Sequence, residues 1–217
     1  MDRPTSAGVA MRVVGIVLAG GRSRRMKGGD KSFAKLAGRP LVEHVVSRLL
    51  PQVSVLVVSA NGPPEQYASL GVPIIADTIP DRAGPLAGLL AGFLWAQANE
   101  PSATHVVTAA VDTPFFPTDL VERLSSAAGP NGTAMAFSAG RPHPVFALVP
   151  VSAADDLRAF ITSGASLRVG DWLGRRGVRE VHFPIAADGF DPFFNLNTPA
   201  DLARAEEMHR RLRVSRT

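Results

Sequence analysis

Apolar residues recur along this chain in two rhythms, and the switches between them mark its elements. Residues 12–18 (RVVGIVL) are a β-branched apolar run that stops at glycines, the pattern of a strand buried on both faces. Residues 40–50 (PLVEHVVSRLL) change to helical spacing, with proline where a helix can begin. Strands are predicted again over 54–59 (SVLVVS), 72–76 (VPIIA) and 104–111 (THVVTAAV). Helices are predicted over 85–98, entered through Gly84-Pro85, and over 117–127, with Pro117 at the first position. Farther on, 133–137 and 144–149 read as a pair of strands, 153–161 and 166–175 as helices, and 178–185 as a late strand. A last helix over 199–212 follows Asn197 and Thr198, either of which can cap it.

Strand and helix alternate through the first 130 residues. That order predicts an α/β fold: one three-layer, Rossmann-like domain with a mainly parallel sheet and helices on both faces. The alternation breaks after residue 130, where a small antiparallel insertion is expected. No repeat or linker divides the chain, so a single domain is expected over 12–213. Residues 1–11 and 214–217 are expected to be a disordered leader and tail.

Composition narrows the class. The chain has 217 residues, 46% of them hydrophobic, enough for a substantial core. It has no cysteine, so disulfides, thiolate metal sites and a cysteine nucleophile are excluded. No apolar run approaches the roughly 18 residues of a membrane span. The start, Met1-Asp2-Arg3-Pro4-Thr5-Ser6, lacks the pattern of a signal peptide. A cytoplasmic, monomeric protein is the expectation.

The net charge of +4 is unevenly spread: residues 1–50 carry ten Lys/Arg against three Asp/Glu, and the remainder thirteen against sixteen. This excess surrounds the segment Leu18-Ala19-Gly20-Gly21-Arg22-Ser23-Arg24-Arg25-Met26-Lys27-Gly28-Gly29-Asp30-Lys31. Such a segment, leaving the carboxyl end of the first strand, enters the crevice where open α/β sheets bind ligands. Gly20 and Gly21 let backbone N–H groups approach phosphate oxygens. Arg22, Arg24, Arg25, Lys27 and Lys31 supply positive charge, the arginines as planar forks and the lysines as point charges. A basic surface without a ligand is the plainer alternative. Glycines and cations packed this closely favour phosphate. Neither the P-loop spacing nor the dinucleotide fingerprint fits, because Gly28-Gly29-Asp30-Lys31-Ser32 has Asp where a P-loop needs its second glycine. A nucleic-acid surface is disfavoured: aromatics are 6% of the chain, and none interleaves the basic loop.

Asp112 follows the apolar run 104–111 and opens Asp112-Thr113-Pro114-Phe115. A strand-end carboxylate suits Mg²⁺ carried in by a triphosphate, which takes one or two protein carboxylates plus phosphate oxygens. In D-x-P sequences a turn or cap aspartate is the commoner outcome. Asp77, after Ile74-Ile75-Ala76, is a second strand-end carboxylate that could hold metal or accept from a base or ribose.

Taken together, these motifs resemble the MobA-type molybdenum cofactor guanylyltransferases. The resemblance spans residues 12–208. It rests on Leu18-Ala19-Gly20-Gly21-x-Ser23-x-Arg25-Met26, Gly28-Gly29-Asp30-Lys31, Leu36-x-Gly38-x-Pro40-Leu41 and Gly84-Pro85-Leu86-Ala87-Gly88. Asp112-Thr113-Pro114-Phe115, His143-Pro144-Val145 and Asn195-Leu196-Asn197-Thr198-Pro199 follow in order. It implies a nucleotidyltransferase fold and transfer of GMP from GTP to the terminal phosphate of molybdopterin, or of its molybdenum-loaded form, with release of pyrophosphate. Arg25, Lys31 and Asp112 would be catalytic, Asp112 as ligand of Mg²⁺ or Mn²⁺. Leu18, Ala19, Gly20 and Gly21 would contact the nucleotide, Asn61 and Asp77 its guanosine. Gly84 and Gly88 would flank a turn into a helix that closes on it. Arg168, Asn195 and Asn197 would lie on the molybdopterin side. Read without the resemblance, Asn195 and Asn197 are turn and capping residues, Arg168 an ordinary surface arginine, and His143 a structural histidine between prolines. Lys27 stands where the family has glycine, which alters the expected backbone approach to phosphate there. A transient contact with cofactor-insertion proteins is a further expectation. Cytidylyl transfer by the same fold, and a non-catalytic nucleotide-binding or cofactor-delivery protein, are the competing readings. The second glycine, Gly21, leaves room for a purine, and both Lys31 and Asp112 argue for chemistry.

Overall fold

The computed structural model describes residues 11–20, 30–77, 79, 84–164 and 166–214. The catalytic expectation for Arg25 therefore lies outside the described residues, as do Gly21, the loop cations Arg22, Arg24 and Lys27, and Gly28-Gly29. So do the expected leader, apart from Met11, and the last three residues.

The strands are β1 (Val13–Leu18), β2 (Lys35–Leu36), β3 (Arg39–Pro40), β4 (Val55–Ser59), β5 (Ile74–Ile75), β6 (His105–Ala110), β7 (Ala134–Ser138), β8 (Arg141–Pro150) and β9 (Arg179–His182). The helices are α1 (Leu41–Leu49), α2 (Pro85–Asn99), α3 (Leu120–Ala128), α4 (Ala154–Ser163), α5 (Val169–Leu173) and α6 (Pro199–Val214). Seven strands form one sheet in the order β5-β4-β1-β6-β8-β7-β9. β8 runs antiparallel to both its neighbours, while the other pairs are parallel. The expected mainly parallel sheet with an antiparallel insertion is what forms.

β1 shows why its run reads as apolar throughout. Val13 and Val17 enter one core with α1, α3 and α6, while Val14, Ile16 and Leu18 enter a second core with α2, α4 and α5. Each face of the sheet thus has its own helical layer. Burying a side chain such as Leu49 or Phe93, both inaccessible to solvent, contributes roughly 1.5–3 kcal/mol. α2 lies close against β1 and β4 because two of its residues lack Cβ. A Cβ on Gly92 would fall 2.2 Å from Ile16 Cδ1, and one on Gly88 would fall 2.5 Å from Ser59 Oγ.

Several boundaries differ from the sequence reading. The segment expected to open a helix at Pro117 is a turn, and α3 starts at Leu120 after Asp119. The helix expected over 166–175 shrinks to Val169–Leu173, since Ser166 accepts from the Arg168 N–H and holds the chain extended. The β2–β3 hairpin was not anticipated. Its two-residue turn needs positive φ at Ala37 (50°) and Gly38 (78°), a mirror-image turn that matches strand twist. Ala37 tolerates this conformation with its N–H donated to Glu206 on α6, 2.6 Å away.

Candidate functional site

The cleft exists because two adjacent strands part company. β6 and β8 pair over Val107 and Leu148 but no farther toward the carboxyl end of β6. Above that point Ala110, Val111, Asp112 and Thr113 form one wall, and residues 141–146 of β8 form the other. Leu18, Ala19 and Gly20 at the end of β1 complete a cavity of about 300 Å³ together with Lys31, Pro85 and Asn195. This is at the low end of the ordinary size for small-molecule sites, about 300–1,000 Å³.

Lys31 is the hub. Its Nζ donates to Asp112 Oδ2 at 2.8 Å and to Asn197 Oδ1 at 2.7 Å. The ion pair is mostly shielded, with side-chain exposures of 12% for Lys31 and 23% for Asp112. Thr113 Oγ1 bridges Asp112 Oδ1 (3.1 Å) and Asn195 Oδ1 (2.8 Å). A backbone bond from Leu196 N–H to the Asp112 carbonyl, 2.8 Å, ties the 195–197 segment to the end of β6. Of the two asparagines expected on one side of the site, Asn197 is therefore joined directly to the lysine, and Asn195 is joined to the carboxylate through Thr113. Thr198, rather than Asn197, begins α6: its Oγ1 accepts from the Asp201 N–H, and the Asp201 carboxylate accepts from the Thr198 N–H, a reciprocal cap. The hydroxyl of Thr198, followed by the N–H bonds, holds the Asp201 carboxyl below its ordinary pKa. That arrangement leaves the Asn197 side chain for Lys31.

A second group sits on the other side of β1. Asp77 accepts from Asn61 Nδ2 at 2.8 Å and from Ser59 Oγ at 3.1 Å, and its N–H donates to Asn61 Oδ1 at 3.0 Å. Asn61 and Asp77 form a two-way clamp next to Gly20, where a Cβ would lie 3.5 Å from Asn61 Nδ2. Asp77 pairs with Asn61, not with Asp112. Gly88 lies within the first turns of α2 rather than in a turn before it, and a Cβ there would come 3.3 Å from Asp77 Oδ1. Gly84 is the residue before α2 and packs against the carbonyl of Leu167. Arg168, next in the chain, is exposed and is not among the residues lining the cleft.

The lysine is held by residues that sequence reading missed. Asp30 caps a short 3-10 turn over Lys31–Phe33, accepting from the Ser32 N–H at 2.9 Å. Ser32 Oγ donates to the Ala19 carbonyl at 3.1 Å, fastening that turn to the end of β1. Tyr67 donates its phenol to Asp30 Oδ2 at 2.7 Å from a 3-10 segment over Pro64–Leu70. Burial, reinforced by Asp30, raises the Tyr67 pKa, so the phenol stays protonated and donating. Its rank as the single tyrosine of the chain was the only available signal. Tyr67→Phe is expected to lower kcat/KM for the nucleotide about fivefold, about 1 kcal/mol, with little change in melting temperature. Steady-state kinetics at fixed second substrate would check this, and an unchanged KM and kcat would show that Asp30 needs no such anchor.

No group of three or more His, Asp or Glu side chains placed to enclose a metal occurs among the described residues. One strand-end carboxylate with free lone pairs is instead the donor set that suits a hard cation shared with a phosphate chain. A cation-bearing turn facing that carboxylate, at the carboxyl end of a parallel sheet, defines a site for nucleotide-dependent group transfer.

Comparison with known proteins agrees. The MobA-like NTP transferase domain matches residues 15–178. The molybdenum cofactor guanylyltransferase of Mesorhizobium japonicum is 50% identical over 199 residues, 90% of this chain and 95% of that one. Its counterpart from Cereibacter sphaeroides is 47% identical over 201 residues, 93% and 99% of the two chains. The crystal structure of molybdopterin-guanine dinucleotide biosynthesis protein A from Archaeoglobus fulgidus is 28% identical, with a TM-score of 0.69 over 91% of this chain and 99% of that one. The chain belongs to the molybdenum cofactor guanylyltransferases within the MobA-like NTP transferase family.

Proposed function

We propose that this protein transfers GMP from GTP to the terminal phosphate of molybdopterin, or of Mo-molybdopterin, releasing pyrophosphate. A phosphate oxygen of the acceptor attacks the α-phosphorus of GTP. The bond from that phosphorus to the bridging oxygen breaks, and the β- and γ-phosphates leave together. The observation that carries this reading is the Lys31–Asp112–Asn197 hub, in a cleft whose Gly20 lies beside the Asn61–Asp77 clamp.

On the β4–β5 side, Asn61 and Asp77 offer fixed acceptors and a fixed donor to guanosine, and Gly20 leaves the approach open. The backbone of Leu18, Ala19, Gly20 and Gly21 lies along the nucleotide. On the opposite side Asn195 and Asn197 face the molybdopterin phosphate, and Arg168, exposed and outside the cleft lining, is assigned to the same substrate by the family likeness alone. Gly84 starts the helix that borders both. Lys31, with Arg25 from the glycine-rich loop, neutralises the triphosphate and the leaving pyrophosphate. In-line transfer of this kind depends on positioning and charge neutralisation rather than on a covalent protein intermediate.

Asp112 is the residue suited to hold Mg²⁺, with Mn²⁺ as a chemically similar substitute. Such an ion would offset charge on the phosphate oxygens during transfer. Lys31 already occupies one oxygen of Asp112, so the ammonium and the ion would share that carboxylate or the lysine would turn to phosphate.

The test is incubation of the protein with molybdopterin, Mg²⁺ and either α-labelled GTP or α-labelled CTP. Label should enter the cofactor at least tenfold faster from GTP, with one pyrophosphate released per transfer. Faster labelling from CTP would replace the base assignment. Nucleotide binding with no transfer from either would favour a delivery role.

A further inference from the structure

The β8 wall of the cleft contains one polar ring that the chemistry above leaves unused. His143 lines the cleft, is 8% exposed, and stacks on Phe193 with centroids 4.6 Å apart and planes inclined by 20°. Its Nε2 lies 2.7 Å from Ser138 Oγ, which in turn lies 2.6 Å from Asp191 Oδ1. A carboxylate can only accept, so the hydroxyl proton goes to Asp191 and the hydroxyl oxygen accepts from His143. The Nε2 therefore carries the hydrogen, and Nδ1 is left as an acceptor. Asp191 is itself fixed by the Phe193 N–H at 2.9 Å and faces Arg141 at 3.5 Å. Burial disfavours the charged ring, against the pull of Asp191, and the His143 pKa is lowered.

His105 provides a contrast within the same molecule. It is fully buried, does not line the cleft, and meets Thr104 Oγ1 through Nδ1 at 3.0 Å, while its Nε2 has no hydrogen-bond partner among the described residues. Each ring thus has one nitrogen engaged by a hydroxyl, and of the two it is His143 that stands in the cleft wall. At His143 the relay ends on a ring bordered by Pro142, Pro144 and Phe146. Those neighbours offer flat apolar contact and little competing polarity. His143 also stands apart from the Asn61–Asp77 clamp: β1 and β6 lie between β8 and β4 in the sheet. With strands spaced about 4.8 Å apart, that is on the order of 14 Å across.

We propose that His143 is a specificity-determining contact for the heteroaromatic head of the second substrate. Its orientation is fixed through Ser138 and Asp191, and its free nitrogen accepts an N–H of the pterin ring. This rests on the reading of molybdopterin as acceptor. Ser138 and Asp191 act as positioning residues, through the histidine.

The decisive variant is His143→Phe, which keeps the stacked ring and most of the volume but removes both nitrogens. Equilibrium binding of molybdopterin and of Mg-GTP is measured separately on the wild type, on H143F and on S138A, alongside thermal unfolding. H143F should weaken molybdopterin binding about tenfold, and S138A about threefold. The GTP affinity of each should stay within twofold of wild type. In turnover, the loss in H143F should lie in KM for molybdopterin rather than in kcat. Wild-type molybdopterin affinity in H143F would overturn the proposal, as would an equal loss for both ligands. A wild-type protein that binds GTP but no molybdopterin would overturn the proposed function together with this subsite, which distinguishes the two failures.

Discussion

Asp112→Ala is expected to lower the rate of pyrophosphate release about a thousandfold, roughly 4 kcal/mol of transition-state stabilisation. The carboxylate has two tasks at once. It pairs with Lys31 at 2.8 Å, and it is the acidic side chain among the residues lining the cleft. Without it, a divalent ion would be held by the triphosphate alone, with no fixed position relative to the acceptor. The backbone carbonyl of Asp112, which receives the Leu196 N–H, survives the substitution. So the 195–197 segment should stay in place and the fold should remain intact. Asp112→Asn sharpens the comparison, because it keeps the shape and the Thr113 contact while removing the charge. Both variants should still bind GTP when metal is withheld, and both should lose the metal-dependent gain in GTP affinity. Titrating GTP with and without Mn²⁺ would show this. A release rate within tenfold of wild type in Asp112→Ala would mean that the metal is held elsewhere.

The fold was legible in the sequence wherever burial sets the pattern. The first strand is apolar at each position because each faces a core, and Gly15 fits the same run because a Cβ there would lie 2.6 Å from Leu56 Cδ1. The antiparallel strand was legible as a strand, but its length was not. Pro142 and Pro144 argue against a strand by local preference, yet β8 extends through them, and in the 141–146 stretch its edge toward β6 is the cleft wall. A proline costs a strand little where no ladder partner waits for its N–H. The hairpin at Leu36–Arg39 stayed hidden because Ala37 adopts positive φ, which sequence preference assigns to glycine or asparagine. At the site, Asp112 and Lys31 could be read from their places after a strand and in a basic loop. What could not be read is that Thr113 links Asp112 to Asn195, that Ser59 donates to Asp77, and that Tyr67 donates to Asp30 beside Lys31, since each is a single hydroxyl with a partner 18 to 82 positions away. Hydroxyls carry no periodic signature, so only tertiary contact reveals them. Asn197 illustrates the same limit. Local preference makes it a cap, but Thr198 takes that role and leaves the amide to reach Lys31.

Lys31→Met is expected to lower kcat/KM for GTP about a hundredfold, roughly 2.7 kcal/mol, while Lys31→Arg recovers only part of that loss. Methionine keeps much of the apolar stem but removes the ammonium. The Asp112 carboxylate, less than one quarter exposed, would then lose its partner, and Asn197 Oδ1 would lose its donor. An unpaired, half-buried charge also costs stability, so a modest fall in melting temperature should accompany the kinetic loss. Arginine restores the charge but spreads it over a planar fork. The two contacts of Lys31, at 2.8 Å and 2.7 Å, converge on one nitrogen, a geometry that a guanidinium meets with two separate nitrogens set farther from the backbone. Charge alone would make the two variants differ by nearly the full hundredfold. Convergence on a point makes them differ by about tenfold, with Lys31→Arg still about tenfold below wild type. Rate and affinity can be separated by single-turnover kinetics at saturating GTP. If Lys31 serves both to bind the triphosphate and to stabilise the departing pyrophosphate, Lys31→Met should lose in the chemical step as well as in binding. A loss confined to binding would reduce the lysine to a docking charge and assign the stabilisation of pyrophosphate to other cations of the site.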